Sequence, residues 1–161
     1  DHVAFNESLA TFIGERGSLQ YLEHNYGPGS QIIEEARNRR VDQLTFKSFM
    51  HEIATKLKTV FGSELSYDQK LLEKARIFEE AKRTFADLDF RSSLYKGFPN
   101  WHLNNAMMLS YRTYHEKSDT FEKVHQLAGS DLRETVKILK RCEKYSDPVA
   151  YLEGLLSDEG K

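Results

Sequence analysis

SQIIEEARNRRVDQLTFKSFMHEIATKLKTVFG, residues 30–62, reads as one long amphipathic helix. Ile33, Ala36, Val41, Leu44, Phe49, Ile53, Leu57, Val60 and Phe61 recur at near-heptad spacing, while Arg37, Arg39, Arg40 and Lys58 fall mostly off that stripe. Gly62 supplies a residue free to take the left-handed conformation with which helices commonly close. Just beyond it, Ser66 and Gln69 stand three apart, the capping-box spacing that satisfies two free amides at the start of a new helix. Leu71, Leu72, Ala75, Phe78, Ala81, Phe85 and Leu88 give that helix an apolar stripe, and Glu73, Lys74, Glu79, Glu80 and Lys82 give it a wet face. A connection this short makes consecutive helices antiparallel neighbours, so residues 30–88 predict a long helical hairpin.

Upstream of the hairpin, Phe5, Leu9, Phe12, Ile13, Leu19 and Leu22 predict a helix from about Phe5 to Asn25, stopped by Gly27-Pro28-Gly29. Gly14 and Gly17 lie inside it and predict a kink or a close approach by another backbone. Downstream, residues 89–100 break the period but carry Phe90, Leu94, Tyr95, Phe98 and Pro99, the composition of a connection packed down on the body. A helix is expected over Trp101–Lys117. A short one follows, started by Asp119 and Glu122 and ended by Gly129; Ser130 is placed as the cap of the next, which runs through Leu132, Val136, Leu139 and Cys142. Asp147-Pro148 launches a last helix through Tyr151, Leu152, Leu155 and Leu156. No stretch alternates long enough for a strand and no period repeats, so the fold class is all-α, about six helices in a single helical domain over residues 1–161.

Composition sets the function classes that remain. A chain of 161 residues with 39% hydrophobic and 30% charged residues, 3 Pro and 9 Gly has the make-up of a helix-rich domain with a real core. The net charge of -2, with both signs interspersed, gives no electrostatic case for nucleic acid or an anionic membrane. No apolar run approaches the roughly 18 residues that span a bilayer, and no basic-then-apolar signal pattern stands at the N-terminus. Cys142 is the single cysteine, so no internal disulfide forms, and its helical setting predicts a partly buried thiol; the compartment stays open.

Few residues carry recognisable chemistry on their own. Glu7 and Thr11, four apart, share one side of the first helix, where a carboxylate can bind a cation with a hydroxyl in support. A helix-start Glu favoured by the helix dipole is the plain alternative. His51-Glu52 fails as HExxH because position 55 is Thr, which leaves His51 structural or solvated. Asn104-Asn105 are poor helix formers in an apolar helix and are expected to face something polar. Tyr111, Tyr114 and His115 share a helix face, with Asn104 seven residues before Tyr111 on the same side, although core packing explains each tyrosine equally. His2, His24, His102 and His125 have no ligand spacing and read as surface or capping residues. No Ser-His-Asp or Cys-His pattern and no phosphate-cradling glycine loop is present.

The run AFNESLATFIGERG, residues 4–17, resembles a segment of a bacterial aminopeptidase family, zinc metallopeptidases of the gluzincin type. In that family the Glu of an Asn-Glu pair is the third zinc ligand, and two His ligands and the catalytic Glu come from an HExxH helix a short way upstream. Asn104-Asn105-Ala106 resembles the family's Asn-Asn-Ala motif; that motif commonly continues with Arg, where this chain has Met107, so no role of that Arg carries over. Phe121 with Gly129, Asp131 and Leu132 resembles the family's ending.

The resemblance, over residues 3–22 and 103–139, implies a C-terminal portion that lacks the HExxH segment and is inactive alone. Glu7 would be a zinc ligand in the intact enzyme only, with Thr11 orienting an upstream His. Asn104, Asn105, Tyr111, Tyr114 and His115 become cleft residues, the aromatic and imidazole groups as candidates to meet a transition-state oxyanion. Zinc is the implied cofactor of the intact enzyme, none being expected on this chain alone, and a peptide is the implied substrate. A cell-envelope lipoprotein form, and a dimer contact on the face the HExxH helix would cover, are further expectations of the same origin. The competing reading is a non-catalytic helical interaction module whose hairpin presents an apolar groove to a partner.

Overall fold

Helical spacing governs most of the chain. The computed structural model, which describes residues 2–115 and 117–158, contains α1 (Val3–Tyr26), α2 (Gln31–Gly62), α3 (Tyr67–Thr84), α4 (Asn105–His115), α5 (Ser118–Leu127), α6 (Leu132–Lys140) and α7 (Pro148–Asp158), with no strand among the described residues. The fold is all-α. It divides into two compact units, Tyr26–Tyr111 and Asp1–Asn25 with Arg112–Lys161. No helix is long and apolar enough to cross a membrane among the described residues.

The hairpin makes the first of these units. Ser30 caps α2, its hydroxyl accepting from the Ile33 N–H at 3.4 Å. Ser66 and Gln69 close the expected capping box on α3, each side chain accepting from the other's backbone N–H, at 3.3 and 2.9 Å. Lys56 reaches Glu80 at 2.8 Å and Lys70 reaches the Phe61 carbonyl at 3.1 Å, so rising numbers on α2 meet falling numbers on α3 and the pair is antiparallel. Between them Phe46, Phe49, Met50, Ile53 and Leu57 pack on Ile77, Phe78, Ala81 and Phe85, and Phe98, Leu103 and Met108 complete the cluster.

The buried stripe of α2 differs from its sequence reading. Leu44 is 47% exposed and Phe61 42%, whereas Phe46 and Met50 are buried. Leu44 stands two residues from Phe46, which turns it about 160° round the helix axis away from the core. Phe61 continues the stripe past its covered length, and Leu71 and Leu72 at the same end of α3 are exposed as well.

Residues 89–100 are packed down as expected. Phe98 is fully buried, and Tyr95 stacks on Phe46 at 3.9 Å between ring centroids. Asp42, invisible in the sequence reading, is what ties the backbone there. It is fully buried on α2, and its carboxylate accepts from the Arg91 N–H at 2.7 Å, the Ser92 N–H at 2.8 Å and the Ser92 hydroxyl. A buried carboxylate persists only when such donors surround it. Asp42→Ala strands two backbone donors and is expected to cost about 2–4 kcal/mol. Urea unfolding reads the loss, and amide exchange at Arg91 and Ser92 should quicken selectively; a change below about 0.5 kcal/mol would show that the tie is dispensable.

Sequence and structure differ again at α4, which begins at Asn105 rather than Trp101. Pro99 sits in a 3-10 turn, Phe98–Asn100, and Trp101 leaves it in an extended conformation, ψ 141°. The next helix then needs a fresh cap. Asn104 supplies one, its side-chain oxygen accepting from the Met107 N–H at 2.9 Å.

In the other unit, Phe5 and Phe12 of α1 bury against Phe121 and Val124 of α5, Leu139 of α6, Cys142 and Leu152 of α7. Phe5 meets Phe121 edge-on at 5.3 Å between centroids. Helix α1 runs unbroken through Gly14 and Gly17; a Cβ at Gly17 would meet only Leu132 at an ordinary 3.8 Å, and one at Gly14 would meet open space. The expected close approach is therefore absent among the described residues. Lys117, not Asp119, is the N-cap of α5 and makes no side-chain capping bond. Gly129 and Ser130 are both left-handed, φ 67° and 60°, which turns the chain so that Asp131 becomes the cap of α6 in place of Ser130. Asp147 caps α7 as its sequence predicts, accepting from Val149 and Ala150 N–H groups at 3.0 Å each.

Candidate functional site

Glu7 lies in the second turn of α1, half-buried, between exposed Asn6 and fully buried Ser8. Residues two apart on a helix point about 160° away from each other, so Glu7 faces away from both Phe5 and Leu9 and from the core they serve. Among the described residues its carboxylate makes no hydrogen bond or ion pair. The Thr11 hydroxyl donates to the Glu7 backbone carbonyl at 2.9 Å. That commits the hydroxyl proton but leaves oxygen lone pairs able to accept, for example, an imidazole N–H.

Asn104, Asn105 and Tyr111 belong to the unit formed by Tyr26–Tyr111, while Glu7 and Thr11 belong to the other. Asn104 is committed as the cap of α4, Asn105 is exposed in its first turn, and Tyr111 packs against the Phe46 cluster with 5.8 Å between ring centroids. The capping role explains one of the two adjacent amides without any ligand. Tyr114 and His115 continue α4, and their side chains lie outside the described ones. Among the described residues no three His, Cys, Asp or Glu side chains gather as a metal-holding group. The described residues thus offer one carboxylate, that of Glu7, that could serve as a zinc ligand, and not a complete site.

Two features escaped the sequence reading. A cleft of about 390 Å³ opens between α1 and the α6 end, lined by Phe5, Leu9, Ile13, Leu139 and Cys142 with Asn6, Lys140 and Glu143 among its polar groups. Burial pushes the Cys142 thiol above its ordinary range. Beneath α1 lies a polar network. His125, read as a surface or capping residue, is only 5% exposed, and its ring meets Phe12 edge-on at 6.0 Å. Its Nδ1 stands 2.8 Å from the buried Thr135 hydroxyl, which itself donates to the Asp131 carbonyl at 2.6 Å. With that one hydroxyl proton committed, Nδ1–H is the donor to Thr135. Arg16 of α1 pairs with Glu122 of α5 alongside. The signal that finds this set is a His four residues after Phe121 and one after Val124, on the apolar face of α5.

Burial, followed by the nearby Arg16 charge, lowers the His125 pKa below its ordinary value, against the smaller opposing effects of Glu122 and Asp131. The folded state therefore holds fewer protons than the unfolded one just below the ordinary histidine value, and stability rises with pH there. The contribution is complete above about pH 6.5 and is lost as the solution is acidified below it. Unfolding midpoints are expected to fall between pH 7 and pH 5.5, with a smaller fall in His125→Gln; equal slopes in the two proteins would contradict the burial of a neutral imidazole.

The "Putative aminopeptidase" family model matches residues 1–149, from the start of the chain into α7. No curated protein and no solved structure matches the chain. A match of that extent takes in both units, Glu7 and the α4 cap together, and the chain accordingly belongs to the Putative aminopeptidase family.

Proposed function

We propose that the chain is the helical C-terminal portion of a zinc-dependent aminopeptidase and that Glu7 is the third protein ligand of its metal. Family membership over residues 1–149 is the observation that carries this reading. The local chemistry is compatible with it: the partly exposed Glu7 side chain makes no hydrogen bond or ion pair among the described residues, so its carboxylate is open to a ligand. Two His ligands and the water-activating Glu belong to an HExxH helix, and residues 1–161 contain no such motif. Zinc, when bound, polarises the scissile carbonyl and acidifies its water. Glu7 supplies charge and one coordination position, and Thr11 accepts from a ligand imidazole.

On this account residues 1–161 alone do not hydrolyse peptides, because a catalytic zinc needs three protein ligands and a base. An aminoacyl-coumarin panel with added zinc should show no chelator-sensitive turnover. Reproducible turnover abolished by chelator would place the whole site within these residues and overturn the division of ligands. One observation favours a second reading, a non-catalytic interaction module: Phe61, Leu65, Tyr67, Leu71 and Leu72 are all exposed where α2 turns into α3.

A further inference from the structure

The network beneath α1 has a geometry that core packing alone does not require. The α1 stripe is Phe5, Ser8 and Phe12, all buried, and Ser8 directly follows Glu7, so whatever fixes the rotation of this stripe also fixes the side of α1 from which the Glu7 side chain leaves. Phe5 bears on Phe121, and Phe12 bears on both Phe121 and the His125 ring. One turn further, the Arg16 guanidinium lies 5.9 Å from the Phe12 ring centroid and pairs with Glu122, while its Nε is buried with no hydrogen-bond partner. His125 is itself immobilised from behind, through Thr135 to the Asp131 carbonyl at the start of α6. Contacts thus run from α6 through His125 of α5 to Phe12 of α1, with the Arg16–Glu122 pair joining α1 to α5 alongside.

We propose that His125, braced by Thr135 and bearing on Phe12, is the positioning residue that holds α1 in the rotation presenting Glu7, and that protonating it releases that hold. The proposal rests on the reading of Glu7 as a zinc ligand. The charged groups facing His125 are Arg16 on α1, Glu122 on α5 and Asp131 at the cap of α6. Protonation leaves the Nδ1–H bond to Thr135 in place but puts a cation in a pocket closed by Phe12 and faced by the Arg16 guanidinium. Glu122 is already engaged by Arg16, and Asp131 is already engaged by the Arg133 and Glu134 N–H groups at 2.7 and 3.0 Å. Movement of α1 that admits water is the remaining relief.

Amide hydrogen exchange on residues 1–161 tests the release without any metal. After correction for intrinsic rates, protection of α1 amides should fall by up to about tenfold per pH unit below about pH 6.5, while amides of α2 and α3 hold theirs. His125→Gln, which keeps an N–H donor but does not titrate, should show flat α1 protection. Flat protection in the wild type, or an equal fall in the Gln variant, overturns the proposal. Should the Gln variant fail to fold, Thr135→Ser, which keeps the hydroxyl, must retain the wild-type pH profile, and loss of that profile overturns the proposal too. In the enzyme joined to its HExxH segment, zinc occupancy should fall more steeply with acid in the wild type than in His125→Gln; equal falls sever the link between His125 and Glu7. Full zinc occupancy in Glu7→Gln is a separate outcome, which defeats the ligand reading and leaves the exchange result standing.

Discussion

Phe46→Ala is expected to lower stability by about 3–5 kcal/mol, the range for deleting a fully buried aromatic ring. The ring is 1% exposed and sits where four parts of the chain converge. Tyr95 stacks on it at 3.9 Å, Phe98 and Trp101 meet it edge-on at 5.4 and 5.8 Å, and Phe85 lies 6.4 Å away just after the end of α3. None of these neighbours can close the space alone, because Asp42 ties residues 91 and 92 in place and α2 is held by its own hydrogen bonds. The loss is therefore a true cavity rather than a collapse, at the costly end of such changes. Trp101 is the single tryptophan and reports the site directly, so its fluorescence in urea measures the change. Leu44→Ala, two residues away at 47% exposure, should cost less than about 0.5 kcal/mol. Comparable losses in the two variants would mean that the core does not centre on Phe46.

The reason the hairpin could be read while its core stripe was displaced lies in the register of α2. Heptad counting through Val41 and Leu44 gives a helix of the right length, but the chain buries Asp42, Phe46, Phe49, Ile53 and Leu57, a stripe that includes a carboxylate. An apolar count skips an acidic residue by construction, and the donors that satisfy Asp42 come from residues 91 and 92, nearly fifty positions away. Caps were legible where the side chain and its amides are local, as at Ser66 and Asp147. They were missed where backbone conformation decides: the left-handed pair Gly129-Ser130 moves the cap to Asp131, and the turn at Pro99 moves the start of α4 to Asn105. The placing of Glu7 and Thr11 on one side of α1 was legible because both residues lie on one helix. The His125 network was not, because three helices build it and spacing along one of them does not reveal the others.

The largest expected effect is on metal. On the proposed function, in which an HExxH segment completes the zinc site, Glu7→Gln keeps the shape of the side chain and its half-buried setting but removes the negative charge. Losing a residue that merely orients a ligand already lowers metal affinity or activity about 10–100-fold, and losing the ligand itself must exceed that. Zinc affinity and chelator-sensitive hydrolysis of aminoacyl-coumarin should both fall by more than about a hundredfold, with the unfolding midpoint of the metal-free protein unchanged. Glu52→Gln, exposed on α2, is the matched control and should leave all three readings as they were. On the same proposal Thr11→Ala should fall between the two, since Thr11 is there assigned to orient a ligand and not to bind the metal. Zinc content per chain of purified Glu7→Gln is the most direct single measurement. The account predicts near-complete loss against about one zinc in the unaltered enzyme; a full zinc complement with turnover within about twofold of the unaltered enzyme would contradict it.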